Sequence, residues 1–292
     1  MLRYNEPLSR HTSFKIGGSA YCWAQPENPK GVLEAVSFAE SKNKKFSVIG
    51  KGTNLLVKDE GFDGVIICLT KGFEKREKEG EEIIKIGAGL SAAKLVKYAL
   101  DLGLGGCEFL TGIPGNVGGA IFMNAGARSL EDPAKFDEIK DILLDAEVLD
   151  LKSGKIKTLS RKDIDFKYRY SGLDGKVILG ARLKLKKDKK ENIEDKIKAF
   201  NKKREWFIKI GFPNAGSIFK NPCLDKPAGM LIESCGLKGR RIGGAEISKV
   251  HANIIVNLGR AKANDVLGLI DLAKTSVRQK FGMDLELELK IL

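Results

Sequence analysis

Eight glycines lie in the stretch from Gly103 to Gly126, and Pro114 stands among them. Glycine adopts positive φ angles without steric cost, and both residue types interrupt helices and strands. We therefore expect this stretch to be irregular, with no regular elements of its own. Helices and strands are expected on either side of it, in an order that indicates a mixed α and β protein.

Short strands and helices alternate in the part of the chain before this stretch. Apolar spacing predicts a helix over 31–43, and strands are predicted over 46–49, 64–69 and 83–86. Ser91 is expected to cap a helix that ends near Leu102. The charged segment 71–82 is interpreted as a connection and a subdomain boundary.

The pattern after residue 126 predicts more strands, a lysine-rich helix and a C-terminal α+β unit. The predicted elements are strands over 146–151, 155–159, 177–185 and 252–257 and helices over 189–205 and 227–235. A long amphipathic helix is expected to start at Asn264 and to stop at Gly282. The alternating residues 285–291 predict a final strand that turns its leucines and Ile291 to one side and Glu288 to the other.

The length of 292 residues suggests two or three compact units, because one core rarely extends over so long a chain. We expect boundaries that divide the chain into the segments 1–72, 73–187 and 188–292. The lysine-rich helix is interpreted as the linker into the third segment.

The net charge of +13 raises the possibility of nucleic-acid binding. The lysines are spread along the chain, however, with only mild clusters at 184–190 and 196–204. Aromatic residues make up 7% and are not interleaved with the lysines as a base-stacking surface requires. A solvated basic surface that attracts anionic small molecules is therefore favoured over a nucleic-acid interface.

No apolar run approaches the roughly 20 residues of a membrane-spanning helix. Residues 1–7 lack the apolar core of a signal peptide. The five cysteines include no CxxC pair, which argues against a disulfide framework and against a zinc site. We therefore expect a cytoplasmic protein that binds neither a metal nor a membrane.

Two glycine-rich segments are candidates for binding a dinucleotide. Residues 50–54 and 111–120 each follow a predicted strand, and glycines at this density let backbone N–H groups turn toward a pyrophosphate. Each segment alone is also compatible with a simple turn. The two together favour one dinucleotide that contacts two adjacent units.

A third glycine-containing segment, 87–92, matches G-x-G-x-x-[GA] between a predicted strand and a helix. Glu108 follows at about the distance at which a Rossmann site places its ribose-binding acid. No clear partner strand follows the helix, however. A tight strand-to-helix turn is therefore favoured over a Rossmann site.

The segment 214–222 combines a hydroxyl, a cation and an amide in Ser217, Lys220 and Asn221. No residue near the serine in sequence is a base that could activate a nucleophile. Ser217 is therefore interpreted as a proton donor.

Three other positions have both a functional and an ordinary interpretation. Arg169 lies in the aromatic and charged segment 163–171, which is also typical of a loop with a surface arginine. Glu288 on an alternating strand is equally typical of an exposed charge. His251 is expected to have a structural or polar role, because the one other histidine, His11, is distant in sequence.

Four segments together resemble, in order, the flavin-dependent UDP-N-acetylenolpyruvoylglucosamine reductases. They are 50–57, 112–120 with 124–126, 168–169 and 216–222, and the segment 236–245 with 251–253 resembles the third domain of that family. The resemblance implies an α+β fold in which two α/β subdomains bind FAD between them, as in the PCMH and vanillyl-alcohol-oxidase-like proteins. It also implies a C-terminal α+β substrate domain, so that 1–72 and 73–187 become the FAD-binding subdomains.

The resemblance implies catalytic roles for Ser217 as proton donor and for Arg169 and Glu288 as groups that stabilise an enolate. The FAD contacts that it implies are Gly50, Gly52, Thr53, Asn54, Gly112, Ile113, Pro114, Gly115, Gly118, Ala120, Asn124 and Gly126. The substrate contacts that it implies are Tyr168, Lys220, Asn221 and Lys238. No metal ligand is implied.

Two features of this sequence differ from those of some members of the family. Only 47 residues separate Arg169 from Ser217, so the chain resembles the type that lacks an inserted tyrosine-bearing loop. Arg128 stands where relatives often have tyrosine, so a substrate contact is not carried over to that position.

The resemblance implies that NADPH reduces a non-covalently bound FAD and that the flavin then reduces an anionic UDP-sugar, in a protein expected to be a monomer. One alternative is a flavin oxidase of the same broad fold, for which Cys107 and His11 are the candidates for covalent flavin attachment. The other alternative is a basic nucleic-acid-binding protein without catalysis.

Overall fold

The computed structural model describes residues 2–223 and 225–292. Its helices are α1 (Pro29–Ser41), α2 (Ala92–Asp101), α3 (Val117–Phe122), α4 (Ile139–Ile142), α5 (Lys190–Lys203), α6 (Glu205–Ile208), α7 (Ala228–Ser234) and α8 (Ala263–Phe281). Its strands are β1 (Leu2–Pro7), β2 (Ser19–Ala24), β3 (Lys45–Ile49), β4 (Leu55–Leu56), β5 (Phe62–Cys68), β6 (Arg76–Glu79), β7 (Ile83–Gly87), β8 (Leu104–Gly105), β9 (Gly126–Arg128), β10 (Phe136–Glu138), β11 (Leu143–Asp150), β12 (Lys155–Ser160), β13 (Lys176–Lys184), β14 (Lys186–Lys187), β15 (Arg241–Ile242), β16 (Ala245–Ile247), β17 (Ile255–Asn257) and β18 (Lys290–Ile291). None of the helices in these described ranges combines the length and the apolar character needed to cross a membrane.

The chain forms two compact units, each built from separate stretches of sequence. The first unit contains Leu2, 24–50 and 65–204, and the second contains 3–23, 51–64 and the described part of 205–292. The lysine-rich helix α5 belongs to the first unit, where Ile193 and Phe200 are buried. The division into the segments 1–72, 73–187 and 188–292 stays a prediction.

An antiparallel five-stranded sheet, in the order β12-β11-β13-β7-β6, organises the first unit. Ile84 and Ile86 of β7 are buried while Lys85 between them is exposed, which is the pattern of a strand with one buried face. These isoleucines pack with apolar side chains of α2 and α3 in one core cluster. The strands predicted over 83–86, 146–151, 155–159 and 177–185 are confirmed with small shifts at their ends.

The Rossmann alternative for residues 87–92 is wrong, because β7 pairs antiparallel with both β13 and β6. The glycines serve close packing instead. A Cβ on Gly87 would lie 2.1 Å from the carbonyl oxygen of Phe73, and one on Gly89 would lie 2.5 Å from that of Leu69. The favoured interpretation, a tight strand-to-helix turn, is confirmed.

Two expectations of irregular structure were wrong. The charged segment 71–82 contains β6, an exposed edge strand whose charges protect it from pairing with another chain. The glycine-rich stretch contains the short helix α3 with Gly118 and Gly119 inside it. Glycine count misled there because Gly118 is needed for packing, since its Cβ would lie 2.9 Å from the Ala88 side chain.

Two predicted helices of the first unit are confirmed, one predicted from a capping residue and one from apolar spacing. Ser91 accepts a hydrogen bond from the N–H of Lys94 at 3.3 Å and begins α2 as expected. The helix predicted over 31–43 is α1, where Asn28 Oδ1 accepts from the N–H of Gly31 at 2.9 Å. The strand predicted over 252–257 is shorter, because only the residues of β17 are extended and paired.

The second unit is organised by α8 and the three-stranded sheet β15-β16-β17. Apolar side chains of α8, α7 and β16 form one core cluster with Phe14 and Leu56. Gly282 ends α8 in the left-handed region, with φ +64, and its N–H donates to the carbonyl of Arg278 at 2.9 Å. The predicted stop of this helix is confirmed.

The predicted C-terminal strand over 285–291 is largely wrong, because only β18 forms a strand and Leu287 makes a single isolated bridge to Phe219. Strand β18 lies parallel to β4. The N–H groups of Glu288 and Leu289 both donate to the carbonyl of Ile218, so the regular alternation breaks at this point. Leu289 is buried as expected, whereas Ile291 beyond the break is exposed.

Candidate active site

The glycine-rich loop 112–120 of the first unit is supported by the turn between β7 and α2. The N–H groups of Val117 and Gly118 donate to the carbonyl oxygens of Leu90 (2.8 Å) and Ala88 (2.9 Å). The turn that matched the dinucleotide fingerprint therefore supports the neighbouring loop.

Two buried polar atoms at this loop have no hydrogen-bond partner among the described residues, namely Thr111 Oγ1 and Asn116 Oδ1. Such atoms are costly unless a ligand or water completes their bonding. A Cβ on Gly50 would lie 2.8 Å from Asn116 Oδ1, whereas the place of a Cβ on Gly119 is open. The loop thus offers polar atoms and close backbone approach, and these residues fit a dinucleotide such as FAD.

Asn124 connects the end of this loop to two other segments. Its side chain is fully buried, and its φ of +43 lies in the left-handed region that asparagine tolerates better than most residues. Its Nδ2 donates to the carbonyl of Lys167 at 3.0 Å, and its Oδ1 accepts from the N–H of Lys140 at 3.3 Å. Gly126 follows in β9, where a Cβ would lie 2.4 Å from the carbonyl of Asp137.

Tyr168 and Arg169 occupy the centre of a tight turn in the first unit. Lys167 and Tyr170 flank the turn and exchange backbone hydrogen bonds of 3.0 and 3.1 Å. Arg169 has φ +56, a conformation that costs an ordinary side chain about 1–2 kcal/mol. A residue keeps such strain only where its surroundings hold it there.

The guanidinium of Arg169 is held by backbone carbonyls. It donates to Asn124 at 3.2 Å and to Gly126 at 3.1 Å, and its carbon lies 4.9 Å from the ring centre of Tyr168. Only 12% of the side chain is exposed. The cation is thus fixed by the same segment that carries two predicted FAD contacts.

Two charged residues near Arg169 were missed in the sequence analysis. Glu138 is buried, and its Oε1 lies 3.7 Å from Arg169 Nη1. Arg204 donates to the carbonyl of Gly112 at 3.3 Å. Burial, and to a lesser degree the like charge of Arg169, lower the pKa of Arg204. No local pattern points to either residue, because their contacts are made across distant segments.

In the second unit, the predicted FAD loop around Gly52 is fixed by the segment that contains His11. Gly52 has φ +60, and a Cβ there would lie 2.3 Å from the carbonyl oxygen of His11. The N–H of Ser13 donates to the carbonyl of Gly52 at 3.1 Å. Asn54 Nδ2 donates to the carbonyl of Glu288 at 3.1 Å, which joins this loop to a predicted catalytic residue.

A buried asparagine, Asn253, holds the backbone next to Ser217. Its Oδ1 accepts from the N–H of Phe219 at 2.9 Å, and its Nδ2 donates to the carbonyl of Phe219 at 2.8 Å. Its own carbonyl accepts from the N–H of Ile218 at 2.9 Å. Asn253 therefore pairs with Phe219 much as a residue of a neighbouring strand would, and no sequence pattern indicated this role.

Gly216, the residue before Ser217, has open space beside it. It has φ +74, and no atom lies within 4 Å of the place of its Cβ. Its N–H donates to Asn214 Oδ1 at 3.0 Å, which closes a short turn before the serine. Within residues 2–223 and 225–292, no hydrogen bond to the hydroxyl of Ser217 is formed.

Ser217 and Glu288 belong to neighbouring backbone segments of the second unit. The N–H of Glu288 donates to the carbonyl of Ile218 at 2.9 Å, and Phe219 pairs antiparallel with Leu287. Glu288 is half-buried, so the ordinary interpretation of an exposed strand charge is wrong. The fold therefore brings together two of the three predicted catalytic residues.

The predicted substrate contacts of the second unit each have a protein partner. Lys220 Nζ lies 2.5 Å from Glu286 Oε1, and Lys238 Nζ lies 2.7 Å from Glu233 Oε1. Asn221 Oδ1 accepts from the first N–H of α7 at 3.1 Å. The two glutamates are exposed, and each forms an ion pair with one of the two ammonium groups.

His251 has the structural role that the sequence analysis expected. Its Nδ1 accepts from the N–H of Asn253 at 3.2 Å, and its ring stacks on Trp206 with 4.5 Å between the ring centres. Burial, and then the charge of Lys238, lower its pKa. Its neutral form is therefore favoured in the folded protein.

Two family models match the chain. The model described as UDP-N-acetylenolpyruvoylglucosamine reductase, C-terminal domain, matches residues 208–292, and the FAD binding domain matches residues 20–160. The UDP-N-acetylenolpyruvoylglucosamine reductase of Bacillus subtilis (strain 168) is 42% identical over 99% of this chain and 93% of its own length. The chain belongs to the UDP-N-acetylenolpyruvoylglucosamine reductases.

Other members of this reductase family agree over the full length. The one from Desulforamulus reducens is 42% identical over 100% of this chain and 93% of its own. The crystal structure of the reductase from Thermus caldophilus covers 100% of this chain and 98% of its own, with 35% identity and a TM-score of 0.83. The predicted α+β class with an FAD-binding part is thereby confirmed.

The matched ranges divide the predicted site residues of the reductase. The predicted FAD contacts all lie within 20–160, and Ser217 and Glu288 lie within 208–292. Tyr168 and Arg169 lie between the two ranges. The role of each of these residues stays a prediction.

Proposed function

We propose that this reductase uses NADPH to reduce UDP-N-acetylglucosamine enolpyruvate to UDP-N-acetylmuramate through bound FAD, a step of peptidoglycan synthesis. The observation that carries this proposal is the 42% identity to a named reductase over 99% of the chain. When bound, FAD would supply the hydride carrier between NADPH and the terminal carbon of the enolpyruvyl group.

The FAD contacts are proposed from the residues that fit a dinucleotide. They are Gly50, Gly52, Thr53, Asn54, Gly112, Ile113, Pro114, Gly115, Gly118, Ala120, Asn124 and Gly126. The orphaned oxygens of Thr111 and Asn116 support this assignment, since each would gain a partner from the bound cofactor. The segments 1–72 and 73–187 are accordingly proposed as FAD-binding and 188–292 as substrate-binding.

Arg169 stabilises the charge that develops on the substrate. When the enolpyruvyl carbon next to the carboxylate gains electrons, the charge spreads into that carboxylate as an enolate. A guanidinium already fixed beside the carboxylate stabilises this charge without reorganising. The carbonyl bonds of Arg169 and its 12% exposure support this role.

Ser217 protonates the carbanion-like carbon. Serine is a weak acid, but the enolate is a strong base, so a hydroxyl placed beside it suffices as donor. Asn253 holds the backbone of the next two residues, Ile218 and Phe219, while the hydroxyl of Ser217 has no hydrogen bond from the described residues, which supports a group that is positioned and free to give its proton. Lys220 stabilises the transient alkoxide, and Glu288 hydrogen-bonds the enol form.

The UDP part of the substrate is proposed to contact Tyr168, Lys220, Asn221 and Lys238. An arriving diphosphate would compete with Glu286 and Glu233 for the two ammonium groups, and it carries more charge than either carboxylate. We propose further that the enzyme works as a monomer in the cytoplasm, where NADPH and nucleotide sugars are available.

FAD is proposed to be held without a covalent bond. Cys107 is buried, and burial together with the Glu108 carboxylate raises its pKa, so that its thiol is unreactive. His11 Nε2 lies 2.7 Å from Glu6 Oε1, which keeps that nitrogen engaged. These two environments speak against the attachment that the oxidase alternative requires.

The test is an absorbance spectrum followed by a coupled assay. Purified protein is expected to be yellow, to release its flavin on denaturation, and to oxidise NADPH only when the enolpyruvyl sugar nucleotide is present. Rapid NADPH oxidation with oxygen alone would support the oxidase instead. A colourless protein with salt-dependent binding to DNA would overturn the proposal in favour of the nucleic-acid alternative.

A further inference from the structure

Glu138 is a buried acid with one carboxylate oxygen that has no hydrogen bond among the described residues. It ends β10, where it lies opposite Gly126 of β9, and only 4% of it is exposed. Its Oε2 pairs with the ammonium of Lys140, and its Oε1 is buried without a hydrogen bond among the described residues. A buried carboxylate oxygen without a hydrogen bond is unfavourable unless a nearby charge offsets the cost.

The nearby charge is the guanidinium of Arg169. Its Nη1 lies 3.7 Å from Glu138 Oε1, which is within ion-pair range and beyond hydrogen-bond range. The nitrogens of Arg169 are directed instead at the carbonyls of Asn124 and Gly126. Glu138 therefore acts on Arg169 by its charge, while the carbonyls set the angle of the guanidinium.

This charge opposes two effects that would displace the cation. Arg169 has a strained φ of +56, and its like charge acts on the half-buried Arg204. Both effects favour movement of Arg169 out of its present place. A carboxylate at 3.7 Å, itself anchored by Lys140, holds the guanidinium against them.

We propose that Glu138 is a positioning residue for Arg169, which keeps the guanidinium in the place that receives the carboxylate of the substrate. The inference rests on the role proposed above for Arg169. Glu138 touches no reacting atom in this account, so its effect is confined to the step that needs Arg169, the transfer of hydride to the sugar nucleotide.

The test compares Glu138→Gln with Asp145→Asn in rapid-mixing experiments. Asp145 is also a buried acid of the first unit; it lies in β11 and pairs with Arg182 of β13 at 3.0 Å. Glu138→Gln is expected to keep its FAD and its rate of reduction by NADPH, and to reduce the sugar nucleotide about 10- to 100-fold more slowly. Asp145→Asn is expected to lower stability and leave both half-reactions unchanged.

Equal slowing of both half-reactions in Glu138→Gln, or an unchanged sugar half-reaction, would overturn the inference. Glu138→Asp, which retains the charge, is expected to recover part of the loss, and no recovery would also count against it. Arg169→Lys is measured in parallel. If that variant keeps the full rate with the sugar nucleotide, the role of Arg169 fails, whereas an effect in Arg169→Lys without one in Glu138→Gln removes only the inference about Glu138.

Discussion

The turn around Arg169 and the segment around Ser217 are held in opposite ways. At Arg169 the side chain is held: its guanidinium donates to two carbonyls and its backbone is strained to allow this. At Ser217 the backbone is held: Asn253 binds the next two residues, while the hydroxyl has no hydrogen bond from the described residues. The difference matches the two chemical tasks, since a cation that stabilises charge must be fixed beforehand and a proton donor must be free to react.

A large effect is expected at the turn around Arg169. Arg169→Lys keeps the charge but loses the forked donors that reach two carbonyls at once. We expect kcat/KM for the sugar nucleotide to fall by about 10²–10³-fold, as for the loss of one electrostatic donor. Steady-state kinetics at saturating NADPH checks this. Arg182→Lys, in the sheet pair with Asp145, is the control and should keep wild-type kinetics.

The loop around Gly52 tests whether close packing on the His11 segment shapes the cofactor site. Gly52→Ala adds a Cβ 2.3 Å from the His11 carbonyl at a φ of +60, so the loop must move. We expect FAD to dissociate at least tenfold more readily, as measured by flavin fluorescence on dilution. Gly80→Ala is matched, because Gly80 has φ +74 with open space around its Cβ. If FAD dissociates equally readily from the two variants, the strain of a positive φ accounts for the loss, and the contact with the His11 carbonyl does not.

The segment around Ser217, whose backbone is held by Asn253, is tested by Asn253→Ala. The N–H and carbonyl of the buried Phe219 would lose their partners, which lowers the free energy of unfolding by about 1–3 kcal/mol. Urea unfolding measures this, with the exposed Asn192→Ala as a control expected to stay within about 0.5 kcal/mol of wild type. The sugar half-reaction should slow as well, since Ser217 loses its support. Loss of stability with full activity would show that the hydrogen bonds between Asn253 and Phe219 do not position the serine.

The smallest effect concerns pH. The folded protein lowers the pKa of His251 below its ordinary value of 6.5, so the folded state binds fewer protons there than the unfolded state. The resulting stability is present above pH 6.5 and is lost as the pH falls below it. In His251→Phe the unfolding free energy should change less between pH 7 and pH 5 than in wild type, by urea unfolding at each pH. If the unfolding free energies of His251→Phe and wild type change equally with pH, the lowered pKa of His251 is contradicted.

Sequence patterns predicted those features that depend on neighbours along the chain. Ser91 and Gly282 were found because caps follow local rules. The ordered motifs likewise predicted the family, the fold class and the FAD-binding part, because each motif is contiguous. The roles of the individual site residues were also inferred from those motifs, and they await the experiments above.

Contacts between distant segments could not be read from the sequence. Asn253 reaches Phe219 across 34 positions, and Glu138 reaches Arg169 through the pairing of two short strands that show no clear periodicity. The helix α3 was missed because Gly118 is required by packing on Ala88, which overrides the low helix propensity of glycine. The C-terminal strand was predicted too long because the N–H groups of Glu288 and Leu289 share the carbonyl of Ile218, which breaks the alternation of the strand.

The most direct test of the account is rapid mixing with Ser217→Ala. NADPH is expected to reduce the flavin of this variant at the wild-type rate, because the serine takes no part in that half-reaction. Reoxidation of the reduced flavin by the enolpyruvyl sugar nucleotide is expected to be slower by about 10²–10⁴-fold, the range for loss of a general acid. Equal loss in both half-reactions, or full activity in the second, would contradict the assignment of Ser217 as the proton donor.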